Sequence, residues 1–157
     1  MSRRHRAPKR KIEPDFRYKS TLISKLINCI MLNGKKTLAT RIVYDALDIF
    51  GKKVHEENPL VAFEEALEKA TPSLEVKSRR IGGTTYQVPV EISPERKLSL
   101  TMGWIITHSR SKTGKSMTDS LAMELVDIYN NQGSTIKKKE DTHKMAEANK
   151  AFAHYKW

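Results

Sequence analysis

The sequence predicts a mainly α-helical fold that carries one β-hairpin and a basic N-terminal arm. Over most of the chain after residue 20, apolar residues recur at spacings of three and four, the period of a helix buried on one side. Between about residues 74 and 92, apolar and polar residues alternate, the period of a strand. Residues 1–19 show neither period and contain eight Lys or Arg residues against two acidic ones. We therefore expect a flexible cationic arm over 1–19 and a single domain over 20–157.

Three helices are predicted in the first half of this domain. Ser20 precedes the first, which we expect to stop at Asn33 and Gly34. Asn58 and Pro59 suit the cap and first position of the third. The apolar stripes of the three helices are, in order, Leu22, Ile23, Leu26, Ile27, Ile30 and Met31; Leu38, Ile42, Val43, Ala46, Leu47 and Phe50; and Leu60, Phe63, Leu67 and Ala70.

A β-hairpin is predicted at about residues 74–92. Gly82 and Gly83 mark its tip, because a two-residue hairpin turn needs positive φ angles. Pro89 cannot donate to a strand ladder and therefore belongs on an edge. An isolated two-stranded ribbon is marginally stable in water, so we expect this one to rest against a phosphate-rich surface. The cations near its tip are Lys77, Arg79 and Arg80.

Three more helices are predicted after the hairpin. Ser93 precedes the fourth, and Ser116 and Asp119 form a possible capping box for the fifth, which ends near Gly133. Residues 135–150 have helical propensity but almost no apolar stripe. A helix of this kind needs a partner outside the core.

The charge distribution predicts a polyanionic partner. The 157 residues carry a net charge of +11, and the basic residues gather at the two ends and around the joints between predicted elements. Clustered positive charge attracts phosphate and releases counterions from nucleic acid. No apolar run approaches the ~18 residues of a spanning helix, and the charged N-terminus does not resemble a signal peptide, so no membrane partner is predicted. The lone Cys29 excludes an internal disulfide and fits a reducing compartment.

One short motif raises the possibility of an enzyme. Gly114, Lys115 and Ser116 resemble the end of a nucleotide-binding P-loop, but Ser109 stands where that motif has its first glycine, and a helix precedes it instead of a strand. A nucleotide-using enzyme is therefore not favoured. Backbone N–H groups at the start of the fifth helix, with Lys112 and Lys115 beside them, could still hold a phosphate.

The remaining reactive and aromatic side chains favour structural roles. The five histidines lack metal-ligand spacing, so no metal site is predicted. Cys29 falls on the stripe of the first helix and is expected to be buried. Phe63 and Trp104 could stack bases, but their helical spacing favours the core. The glutamates of the third helix are expected to form a solvated face and not a catalytic pair, and the lysines at 137–139 to contact RNA.

Five segments resemble the seventh small-subunit ribosomal protein family of bacteria and organelles. They are residues 1–4 (MSRR), 33–36 (NGKK), 42–47 (IVYDAL), 79–91 (RRIGGTTYQVPVE) and 138–157 (KKEDTHKMAEANKAFAHYKW). The likeness runs in order along essentially the whole chain. It implies a bundle of about six helices with a projecting β-hairpin. The implied function is that of a structural, non-catalytic constituent of the small ribosomal subunit.

The resemblance also implies partners. It predicts a primary binder of small-subunit ribosomal RNA that nucleates assembly of the subunit head. It places the chain near exit-site tRNA and messenger RNA, beside the ninth and eleventh small-subunit proteins. The implied location is the cytoplasmic ribosome of a bacterium, or an organelle ribosome. An architectural DNA-binding protein with a basic β-arm is the alternative, although Pro89 lies six residues past Gly83 and such arms carry a proline near the tip.

Charge and resemblance together give the candidate interface residues, and no catalytic, metal-binding or cofactor-binding residue is predicted. The residues expected to bind ribosomal RNA are Arg3, Arg4, Arg6, Lys9, Arg10, Lys11, Lys35, Lys36, Lys77, Arg79, Arg96, Arg110, Lys112 and Lys115. The residues that the resemblance places near tRNA and messenger RNA are Arg79, Arg80, Gly82, Gly83, Lys137, Lys138 and Lys144.

Overall fold

The computed structural model describes residues 10–56 and 58–155, which form six α-helices, one two-stranded sheet and a C-terminal 3-10 helix. In chain order the elements are α1 (Thr21–Ile30), α2 (Lys36–Val54), α3 (Pro59–Ala70), β1 (Leu74–Ile81), β2 (Thr84–Glu91), α4 (Pro94–Ser111), α5 (Met117–Tyr129), α6 (Gly133–Ala148) and the 3-10 helix (Lys150–Tyr155). This order confirms the predicted mainly α fold with six helices and a hairpin.

The predicted start of α1 is confirmed, but its predicted end is wrong. The Ser20 hydroxyl accepts a hydrogen bond from the Leu22 N–H at 3.2 Å and caps the helix. The helix ends at Ile30, three residues before Asn33. Asn33 and Gly34 have φ angles of 51° and 73° and form a separate turn between α1 and α2. These two residues therefore shape the connection and do not terminate the helix.

Two residues that were predicted on buried stripes are exposed. Cys29 is exposed, and Leu38 is 51% exposed. Each lies roughly 100° or more around its helix from the centre of the buried face, since successive residues are about 100° apart. The buried face of α1 is Ile23, Leu26, Ile27 and Ile30, and that of α2 is Ala39, Val43, Ala46, Leu47, Phe50 and Gly51.

The core lies between α1, α2, α3, α4 and α5. Asn58 caps α3 by accepting from the Leu60 N–H at 3.1 Å, and Phe63 of this helix is fully buried, as predicted. Trp104 is only half-buried, so its predicted place in the core is wrong. Helix α5 contacts α2, α3, α4 and α6 and contributes Leu121, Ala122, Leu125 and Ile128 to the core.

The predicted Ser116 cap of α5 is confirmed, but the reciprocal bond of a capping box, from the Ser116 N–H to the Asp119 carboxylate, is not formed. Ser116 Oγ accepts from the Asp119 N–H at 3.1 Å and lies 2.6 Å from the Asp119 carboxylate. At its other end α5 stops at Tyr129, and Gly133, with φ 91°, begins α6. Gly133 therefore starts the next helix instead of only ending α5.

Helix α6 packs within the molecule, so the prediction that it needs a partner outside the core is wrong. It contacts α3, α4, α5 and both strands. Because the apolar stripe of α6 is short, polar side chains also attach the helix to the rest of the molecule. The Lys139 ammonium donates to the Lys69 carbonyl at 2.6 Å, and His143 Nε2 accepts from the Ser73 N–H at 3.1 Å. The buried residues of α6 are Thr135, Ile136, Thr142 and Ala146.

The hairpin has the predicted position and tip. Its strands pair antiparallel from Leu74–Glu91 at the base to Ile81–Thr84 at the tip. Gly82 and Gly83 have φ angles of 56° and 89°, as the two-residue turn requires. The hairpin does not stand alone, because β2 contacts the C-terminal 3-10 helix and β1 contacts α6. The hairpin is thus supported by α6 and by the 3-10 helix that follows it.

Candidate nucleic-acid interface

The cations of the arm fall in two groups. Arg10 and Lys11 are exposed at the start of the described chain. The other predicted arm residues, Arg3, Arg4, Arg6 and Lys9, lie outside the described residues.

The end of the predicted arm is attached to α2 by a turn at residues 15–20. Its backbone is closed by two hydrogen bonds, from the Asp15 N–H to the Ser20 carbonyl at 3.1 Å and from the Lys19 N–H to the Asp15 carbonyl at 3.0 Å. The buried Asp15 carboxylate accepts from the Arg17 N–H at 3.0 Å and from the Tyr44 hydroxyl of α2 at 2.7 Å. We call this segment the 15–20 turn.

A second set of contacts joins the 15–20 turn to Asp48 of α2. The Arg17 guanidinium donates to both Asp48 oxygens, at 3.0 and 2.7 Å. It also lies 5.1 Å from the ring centroid of Tyr18 and 5.5 Å from that of Tyr44. The two tyrosine rings meet edge to face. Bidentate pairing and ring contacts together fix the direction of the chain entering α1.

The cations of the α1–α2 connection lie close to a residue of α4. Lys35 and Lys36 are exposed. The Arg110 guanidinium donates to the Ile30 carbonyl at 3.2 Å, so it lies where α1 ends and this connection begins. The structure therefore attaches Arg110 of α4 to the end of α1, five residues before Lys35.

A charged cluster occupies the base of the hairpin. Glu75 lies 3.2 Å from the Lys77 ammonium and 3.4 Å from the Arg96 Nε. Both cations are about half-exposed, so each pair stabilises the fold by only about 0–1 kcal/mol. Lys77 and Arg96, which the sequence places in different elements, are thus neighbours with a shared carboxylate.

The two arginines near the hairpin tip project to opposite faces. Residues directly opposite in an antiparallel ladder share a face, and successive residues alternate. Arg79 pairs with Tyr86, and Arg80 pairs with Thr85. The Tyr86 ring contacts the 3-10 helix, so Arg79 lies on the covered face and is half-buried. Arg80 and Thr85 are exposed on the open face, next to the exposed Gly82 and Gly83.

Lys112 is directed into the protein. Its ammonium lies 2.9 Å from the carboxylates of both Glu124 and Asp127. Glu124 is fully buried and also accepts two hydrogen bonds from Thr135, from the N–H at 3.1 Å and from the hydroxyl at 2.7 Å. These contacts make Lys112 the partner of an internal carboxylate, a role that sequence spacing did not reveal.

Burial and pairing act in opposite directions on this cluster. Burial raises the pKa of Glu124, but the Lys112 ammonium and the Thr135 donors lower it more, so the pKa is below the ordinary value of 4.5. Burial lowers the pKa of Lys112, but Glu124 and Asp127 raise it above its ordinary value. Both groups are therefore held in their charged forms.

The start of α5 carries fewer cations than predicted. Lys115 is exposed, and its ammonium lies 3.0 Å from the Met123 sulfur. Lys112 points away toward Glu124, and the Asp119 carboxylate already occupies the first turn of the helix. An anion there would meet one lysine and one carboxylate, which weakens the case for a phosphate site.

The lysines of α6 divide between surface and interior contacts. Lys137, Lys138 and Lys144 are exposed. Lys139, in the same basic run, instead donates to a backbone carbonyl of α3.

The acidic residues Glu64, Glu65 and Glu68 of α3 are exposed, as predicted for a solvated face.

An aromatic cluster joins the hairpin to the end of the chain. The Tyr86 ring centroid lies 5.2 Å from that of Phe152 and 5.3 Å from that of Tyr155. Tyr155 also contacts His154 at 4.0 Å. The sequence hinted at this cluster only through the aromatic residues near its C-terminus. We call these four residues the hairpin clasp.

Pro89 does not lie where the architectural DNA-binding alternative would need a proline. Pro89 is buried opposite Val76 near the hairpin base, far from the tip where a DNA-bending wedge would be needed.

In residues 10–56 and 58–155, no group of three or more His, Cys, Asp or Glu side chains could hold a metal ion. No helix in the same ranges is long and apolar enough to cross a bilayer.

Comparisons with known proteins cover nearly the whole chain. Residues 2–150 match the family described as ribosomal protein S7p/S5e. The chain is 66% identical to a protein of Protochlamydia amoebophila and 62% identical to one of Chlamydia pneumoniae, each over 157 residues and the full length of both chains. A protein of Chlamydia trachomatis is 61% identical over the same span. All three relatives are named small ribosomal subunit protein uS7. With this likeness from one end to the other, the chain belongs to the ribosomal protein S7p/S5e family.

Proposed function

We propose that this chain is a structural, non-catalytic constituent of the small ribosomal subunit. The observation that carries the proposal is its full-length identity of 60–66% to bacterial proteins that are named as constituents of that subunit. A ribosomal protein of this kind has ribosomal RNA and other ribosomal proteins as partners. The relatives come from Protochlamydia and Chlamydia species, which supports a place in the cytoplasmic ribosome of a bacterium.

The distribution of exposed cations supports a scaffolding role. Exposed lysines and arginines occur on separate elements: the end of the arm, the α1–α2 connection, the open hairpin face and α6. Cations on several elements can neutralise the phosphates of several RNA segments at once, and such contacts position RNA without reading its sequence. On this basis the chain holds segments of small-subunit ribosomal RNA together. The family resemblance supports the further proposal that it nucleates assembly of the subunit head.

The proposal also includes more specific partners, some of them beside the hairpin and α6. We place Arg80, the glycine tip and the exposed α6 lysines beside exit-site tRNA and messenger RNA. We place the ninth and eleventh small-subunit proteins next to the chain. Family resemblance is the support for these positions.

Two measurements test the proposed function. In the first, the tagged chain is expressed in a bacterial cell and should sediment with small subunits in a sucrose gradient. In the second, a ribosomal RNA fragment and duplex DNA compete for the purified chain at one salt concentration. Preference for the RNA supports the proposal. Equal or better binding of duplex DNA, with no sedimentation with subunits, would favour the architectural DNA-binding alternative.

A further inference from the structure

Phe16 has an unusual position for a large apolar side chain. It is 86% exposed, more than any other large apolar side chain in residues 10–56 and 58–155. Single exposed apolar residues are common on protein surfaces, so exposure alone assigns no role to Phe16. Its backbone setting distinguishes it from the others.

The residues around Phe16 are held on α2. Asp15 on one side is buried and accepts from the Tyr44 hydroxyl, and Arg17 on the other side pairs with both oxygens of Asp48. The backbone bonds of the 15–20 turn close the loop that Phe16 occupies. The fold thus fixes the Phe16 backbone while it leaves the ring in solvent. A ring on a fixed backbone loses little conformational entropy when a ligand covers it.

A lysine cation lies beside the Phe16 ring. The Lys19 ammonium lies 4.8 Å from the ring centroid. Arg10 and Lys11 are exposed on the same stretch of chain. An exposed aromatic ring beside exposed cations has the chemistry of single-stranded nucleic-acid sites, where the ring stacks on a base and the cations contact the adjoining phosphates.

We propose that Phe16 is a stacking platform for one unpaired RNA base, with Lys19 contacting an adjacent phosphate. The inference rests on the proposed function, since the RNA is the one that the chain is proposed to bind. Proteins read RNA mostly at single-stranded loops, bulges and ends, whose unstacked bases are free to meet an aromatic ring. The Arg17–Asp48 pair acts as a positioning contact that holds the platform in place.

The first test compares Phe16→Ala and Phe16→Trp with wild type. Each binds a small-subunit ribosomal RNA fragment over a series of salt concentrations. Loss of one stacked base should weaken binding by about tenfold in Phe16→Ala. The dependence of affinity on salt should stay unchanged, because stacking releases no counterions. Phe16→Trp should bind at least as well as wild type, since tryptophan offers a larger ring.

Val61→Ala is the matched control. Val61 is 54% exposed on the outer face of α3, among the exposed glutamates. Removing apolar surface there should leave RNA affinity unchanged. Equal affinity of Phe16→Ala and wild type would overturn the stacking site. A Phe16→Ala variant with normal RNA affinity but poor entry into subunits would also overturn it, by showing that Phe16 contacts a protein.

The second test separates positioning from charge. Asp48→Ala removes a negative charge, so electrostatics alone should tighten RNA binding. If the Arg17–Asp48 pair positions the platform, the variant should instead bind the fragment several-fold more weakly, and Phe16→Ala should then cause little further loss. Tighter binding by Asp48→Ala would overturn the positioning role. Failure of the wild-type chain to bind any ribosomal RNA fragment would contradict the proposed function itself, a separate outcome.

Discussion

Glu124 has an environment that its position in the sequence does not suggest. It is a fully buried carboxylate in a basic protein, and burying an unpaired charge is costly. Lys112 from the α4–α5 connection and Thr135 from α6 supply the compensating contacts. The cluster therefore ties three consecutive parts of the chain together through charge and hydrogen bonds.

Stability should depend on Glu124 at neutral pH and much less in acid. Glu124→Gln keeps the shape but leaves Lys112 with Asp127 alone, so we expect a loss of about 1–3 kcal/mol at pH 7. The folded-state pKa of Glu124 is below 4.5. As the pH falls below 4.5 the unfolded chain takes up protons first, so the advantage of the wild type declines and is lost as the pH passes through the lower folded-state pKa of Glu124.

Urea unfolding of both proteins at pH 7 and pH 3.5 measures this difference. The exposed Glu140→Gln on α6 is the control and should match wild type at both values. A Glu124→Gln variant as stable as wild type at pH 7 would show that the buried pair contributes no net stability.

At the scale of elements, the hairpin depends on the end of the chain. Both strands of a two-stranded ribbon are edges, and such a ribbon is marginal in water. Tyr86 of β2 contacts two aromatic residues of the 3-10 helix, and Val88 is fully buried nearer the base. The hairpin clasp therefore supplies packing on one face of the ribbon.

Tyr86→Ala should loosen the hairpin without unfolding the bundle. Loss of two aromatic pairs, at about 0.5–1.5 kcal/mol each, should raise trypsin cleavage after Arg79 and Arg80 by about tenfold. Thr85→Ala, on the open face, is the control and should be cleaved at the wild-type rate. Peptide mapping over time measures both rates. Equal cleavage of all three proteins would mean that the clasp does not hold the hairpin.

Shortening the hairpin should separate assembly from translation. Replacing residues 79–84 by a two-residue glycine turn removes the tip with Arg79 and Arg80 but leaves the six helices. We expect near-normal occupancy of the variant in purified small subunits, because the arm and the α1–α2 cations remain. Retention of exit-site tRNA or of the reading frame should suffer, since the positive charge that we propose to lie beside a phosphate backbone is lost.

The readout is therefore a paired one, occupancy in subunits and exit-site tRNA release in a reconstituted system. A shortened protein with a native circular dichroism spectrum that fails to assemble would make the hairpin an assembly element.

At the scale of the whole molecule, the arm and the domain both carry clustered positive charge. Residues 1–12 contain six Lys or Arg residues. Deleting them should leave the helical content intact and reduce the salt dependence of RNA binding by about one unit of slope per lost phosphate contact. Titration of a ribosomal RNA fragment at several salt concentrations measures the slope.

A variant of the same length in which these six cations are glutamine controls for the length of the arm. It should match the deletion if charge is the cause. An unchanged slope in both would show that the arm makes no phosphate contact.

The sequence by itself determined the elements and the chemical class of the partner. Helical and strand periods, the Asn58 and Ser116 caps and the Gly82–Gly83 tip were all readable, because each is a local property of a few neighbouring residues. The excess of positive charge could also be read from the sequence, because composition does not depend on the fold.

Only the tertiary structure decided which groups meet. Lys112 was readable as a cation but not as the partner of Glu124, and α6 was readable as a polar helix but not as one docked through Lys139 and His143. The exposure of Cys29 depended on which side of α1 faces the core. Which charged groups pair, which helices dock and which side of a helix faces the core depend on contacts between residues far apart in the chain. The local pattern of a sequence does not specify those contacts.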